Sequence, residues 1–86
     1  MRITKHTVAE KVEAYLHHEI GLSDLVDWAE NALMEGEFDR EDSTALAHAL
    51  GRIGLADVRS FGLTWEDCEE ILKELGYEAR VAVVSA

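Results

Sequence analysis

The chain has 86 residues, 48% of them hydrophobic and 30% charged, with a formal net charge of −10 at pH 7. That size allows one hydrophobic core and a single acidic domain over 1–86, and the composition is that of a globular chain. So large an excess of carboxylates repels nucleic-acid phosphates and anionic membranes, and no apolar run approaches the roughly 20 residues of a membrane-spanning helix.

The lone cysteine, Cys68, has no partner for an internal disulfide, and the polar start MRITKHTVAEK has no apolar run of a secretory signal. Both point to the cytoplasm. The charge is uneven: residues 12–50 carry Arg40 against ten carboxylates. With no proline, glycine is left to punctuate the chain.

Thr7 and Glu10 read as a capping box opening a first helix, whose apolar face is Val8, Val12, Tyr15 and Leu16 and which ends near His18. Ser23 is the expected cap of a second helix with Leu25, Val26, Ala29, Ala32 and Leu33 inward, stopping at Gly36. Asp39 or Asp42 caps a third, with Leu46, Ala49, Leu50 and Ile53 inward and its end at Gly54. LADVRSF leaves room for a short extra helix before Gly62. Thr64, with Asp67 three positions on, opens the last helix, which buries Cys68, Ile71, Leu72 and Leu75 and stops at Gly76. At Gly21-Leu22, Gly54-Leu55, Gly62-Leu63 and Gly76-Tyr77 a glycine can turn left-handed while the next side chain folds back. Residues 78–86 change character, and valine alternation there predicts an extended tail or short strand that pairs with RIT, pairs with another subunit, or lies on the helices. The fold class is all-α: a compact bundle of four main helices.

His17-His18-Glu19 looks most like chemistry, but adjacent helical positions point in different directions, and a zinc-protease HExxH would need histidine where Leu22 stands. The doublet reads as a helix end. EFDREDSTALAHAL lacks the glycine and terminal glutamate of a calcium loop. Cys68 lies among Glu66, Asp67, Glu69 and Glu70, whose charge raises a thiol pKa. No catalytic residue, metal ligand or cofactor site is assigned.

What is left is a surface. Asp24, Asp27, Asn31 and Glu35 share the outer side of the second helix, and Trp28 stands at its border with the core stripe. An aromatic beside carboxylates suits a basic protein partner. Against that, Trp28 can pack onto helix one or four and leave the acids solvated. The stretch from Tyr15 to Ala29, with its YL-x-x-x-I-x-L-S-x-L-V-D-W-A skeleton, resembles small bacterial helical proteins and, more distantly, the opening of colicin-type immunity proteins. That resemblance implies a bacterial, cytosolic, helical binding protein and brings no catalytic residues. The expected function is a non-enzymatic acidic interaction module, an immunity-like inhibitor or a regulator of a basic protein. The alternative is self-association as a homodimer through RVAVVS or exposed apolar positions.

Overall fold

The computed structural model describes residues 2–58, 62–80 and 83, with residue 58 described in its backbone only. In chain order these form strand β1 (Arg2–Ile3), helix α1 (Lys5–Leu16), helix α2 (Leu22–Glu35), strand β2 (Glu37–Phe38), a 3-10 turn (Arg40–Asp42), helix α3 (Ser43–Gly54), a second 3-10 turn (Ala56–Val58) and helix α4 (Trp65–Glu74). The all-α expectation holds, and the short extra helix before Gly62 is the 3-10 turn.

Helix α1 starts earlier than expected. Thr4 is the cap: the Thr7 amide donates to Thr4 Oγ1 at 3.1 Å and the Thr4 amide to Thr7 Oγ1 at 3.3 Å. Buried Ile3 fixes the chain just before it, and Glu10, freed from capping, pairs with His6 one turn back. The other end answers the question of the histidine doublet. The Glu19 amide bonds the Ala14 carbonyl at 2.8 Å and the His18 amide bonds that of Tyr15 at 3.1 Å, while His18 takes φ 61°. These bonds are a Schellman stop with histidine at the left-handed position that glycine usually fills.

Helix α2 opens at Gly21 rather than Ser23, with no side-chain cap, because Leu22 is drawn into the first turn and packs against the core. It ends at Gly36 as expected, for a reason the pattern did not contain. A Cβ at Gly36 would strike the Ala32 carbonyl oxygen and stand 2.7 Å from Ile3 Cγ1. That close approach lets β2 run parallel to β1, with Arg2 opposite Glu37 and Ile3 opposite Phe38. RIT therefore pairs with β2.

Helix α3 is preceded by Asp42 without a side-chain cap bond, while Asp39 precedes the 3-10 turn and binds Arg2 at 2.6 Å. Leu46, Ala49, Leu50 and Ile53 are all buried. Gly54 stays helical and Leu55, 62% exposed, does not fold back. Helix α4 has the expected Thr64–Asp67 box, bonded at 3.0 and 3.1 Å, and a Schellman end in which the Tyr77 and Gly76 amides reach the Leu72 and Lys73 carbonyls. Gly76 supplies φ 88°.

The core joins Val8 and Val12 of α1, the Leu25, Val26, Ala29 and Ala32 stripe of α2, the α3 face, and Cys68, Ile71, Leu72 and Leu75. Tyr15 and Leu16 are half-buried against it, and the Tyr15 hydroxyl ties α1 to the Leu63 carbonyl at 3.2 Å. Leu33 departs from the expected stripe at 41% exposure. No strand forms over residues 77–80, and the RVAVVS pairing lies outside the described residues except for Arg80 and Val83, the latter 95% exposed.

Candidate functional site: the outer face of α2

At about 100° per residue, Asp24, Asp27, Trp28, Asn31 and Glu35 of α2 fall within roughly one-third of the helix circumference. The structure keeps them together. Asp24, Asp27, Asn31 and Glu35 are exposed, and Trp28 is half-buried against the core at their edge. Two further residues belong to this face. Glu30 is exposed, and Met34, seven positions beyond Asp27, is 77% exposed. Helical spacing alone would have added both.

Trp28 takes the packing role expected of it. Its ring packs inward, and Lys11 of α1 places Nζ 5.6 Å from the ring centroid. A cation over an indole at a partly exposed site is worth about 0.5–1 kcal/mol. Lys11 is 17 positions away in sequence, too far for periodicity to associate it with this face. The ring thus ties α1 to α2 and stays half-buried at the edge of the face.

The four carboxylates of the face, Asp24, Asp27, Glu30 and Glu35, form no ion pair or hydrogen bond among the described residues. Elsewhere four cations are engaged, Arg2 with Asp39, Lys5 with Asp42 at 3.7 Å, Arg52 with Asp67 and Glu70, and Arg80 with Glu78, while Arg40 and Lys73 form no ion pair among the described residues. Asp24 sits in the first turn of α2, where the helix dipole favours a negative charge. It also borders a shallow depression of about 510 Å³ beside Glu19, Ile20, Leu63 and Trp65.

The remaining reactive groups are held by the fold. His17 stands 3.7 Å from Glu19, and His48 bonds Glu74 at 2.7 Å across α3 and α4. Among the described residues no three His, Cys, Asp or Glu side chains converge as metal ligands. Cys68 is fully buried; burial first, then the Asp67 charge, push its thiol up to about 11 against the opposing pull of Arg52. Burial also raises the Tyr15 phenol, with Cys68 adding to the effect. Among the described residues no helix is long and apolar enough to cross a membrane. Compared with known proteins, the chain matches no family model, no curated protein and no solved structure.

Proposed function

We propose that the chain is a non-enzymatic, acidic interaction module of the cytoplasm that binds a basic protein through the outer face of α2, as an immunity-like inhibitor or a regulator would. The observation that carries this reading is that Asp24, Asp27, Glu30 and Glu35 lack an in-chain cation among the described residues, while exposed Met34 and half-buried Trp28 lie beside them. Unpaired carboxylates steer a cationic surface toward the helix, and the methionine and indole supply apolar area to desolvate on contact.

The test is capture from a native cell lysate at low salt, comparing the natural chain with Asp24→Lys/Asp27→Lys. A stoichiometric basic partner, removed by high salt and lost with the variant while helicity is unchanged, is the expected result. Equal capture by the variant would reject this face. Self-association has one observation in its favour, the exposure of Leu33 at 41%, Met34 at 77% and Leu55 at 62%. It predicts a dimer in light scattering that Met34→Lys dissociates; a monomer would exclude it.

A further inference from the structure

A groove of about 620 Å³ runs between α1 and the irregular segment that follows α4. Buried Ala9 and Leu72 and half-buried Leu16 and Trp65 give it an apolar base. Exposed Glu10, Glu13 and Glu78 stand around it, with His6, His17 and Arg80 among them. The volume lies within the roughly 300–1,000 Å³ of ligand-binding clefts.

The three carboxylates differ in how they are occupied. Glu10 is met by His6 on the same helix, and Glu78 by Arg80 two residues on, at 3.2 Å. Both pairs are highly exposed, with side-chain exposures of 70% and 66% in the first and 81% and 74% in the second, so a competing cation displaces them at little cost. Glu13 has no cationic partner among the described residues. The groove therefore combines an apolar base, an aromatic ring from Trp65, and an open carboxylate on one wall. A guanidinium suits the carboxylate, with which it pairs bidentately, while the ring extends the apolar base for a neighbouring side chain.

We propose that this groove is a second docking site, which receives an arginine-bearing apolar segment of a protein partner: the guanidinium at Glu13 and the neighbouring apolar side chain on Leu16, Leu72 and Trp65. It goes beyond the proposed function, sharing with it only the sign of the partner's charge, and it stands on a different surface. Failure of the α2 face therefore leaves it intact, and its own failure leaves the α2 face intact.

Trp65 reports on occupancy directly in a Trp28→Phe background, where it is the remaining tryptophan of the two. The probe is the tryptophan-free peptide acetyl-Leu-Arg-Leu-Arg-Leu-amide. The expected result is a saturable change in Trp65 emission that Glu13→Lys weakens at least tenfold. Glu13→Gln should weaken it less, and replacing the peptide's arginines with glutamates should abolish it. No saturable change into the millimolar range would overturn the proposal. So would undiminished binding to Glu13→Lys and Glu13→Gln, or equal binding of arginine amide alone.

Discussion

Helices α2 and α4 are both rich in acid, yet three of the five carboxylates of α4 meet bases of α3, whereas none on the outer face of α2 does. The other two on α4, Glu66 and Glu69, are exposed and unpaired among the described residues. In α4, Asp67 and Glu70 each lie 3.0 Å from Arg52 of α3, and Glu74 lies 2.7 Å from His48. In α2, Asp24, Asp27, Glu30 and Glu35 find no counter-charge among the described residues. The difference lies in the neighbours. Helix α3 presents two bases, His48 and Arg52, toward α4 and none toward the outer side of α2. Acidity in the sequence is thus two separate features, one that fastens helices together and one that faces outward.

The largest break in this contrast should come from Asp67. Its side chain accepts from Arg52, leaving the two side chains only 21% and 11% exposed, and also from the Thr64 amide that opens α4. Asp67→Ala removes a helix cap and leaves Arg52 with only exposed Glu70, so a loss of about 2–4 kcal/mol is expected in urea unfolding. Asp27→Ala, on the outer face of α2, should stay within about 0.5 kcal/mol of the natural chain. Similar losses for the two substitutions would dissolve the distinction between the helices.

A smaller effect should appear at high pH, again on the α4 side. The Cys68 thiol rises from an ordinary 9.0 to about 11 in the folded chain. The unfolded chain loses that proton first, so this contribution to stability is complete below pH 9 and is lost as the pH climbs through about 11. The slope should approach roughly 1 kcal/mol per pH unit across that window. Tyr15, also raised, adds in the same direction. Unfolding free energies measured from pH 8 to 11 should fall less steeply in Cys68→Ala; identical slopes would show that the thiol is not held protonated by its surroundings.

What could be read from sequence was what is local. The α3 face and the Thr64–Asp67 box rest on spacings of three and four residues, and both stand as expected. The Thr4–Thr7 box escaped because threonine, rather than glutamate, closes it. Leu33 has the phase of a core residue, but phase gives the direction of a side chain and not whether another element covers it. The β1–β2 pairing, the Lys11–Trp28 contact and the Arg52–Asp67 pair join distant segments, and no periodicity encodes them. For the candidate site this meant that the arc of acids on α2 was legible, whereas their lack of a counter-charge among the described residues depends on contacts between segments distant in sequence.

The smallest effect sharpens the comparison by supplying to α2 the base that α3 supplies to α4. Asn31 lies four residues after Asp27 and four before Glu35, and all three are exposed. Asn31→Lys therefore creates two i,i+4 ion pairs, the one with Asp27 in the better orientation because the acid precedes the base. Such pairs contribute about 0.2–0.5 kcal/mol each, so thermal unfolding should shift upward slightly and lose that shift in high salt. The same substitution should weaken capture of a basic partner, because it neutralises in-chain the charge the partner would meet. Higher stability together with lower capture would show that the open charge of α2 is kept at the expense of stability. Higher stability with unchanged capture would mean that the acids of this face are solvated and nothing more.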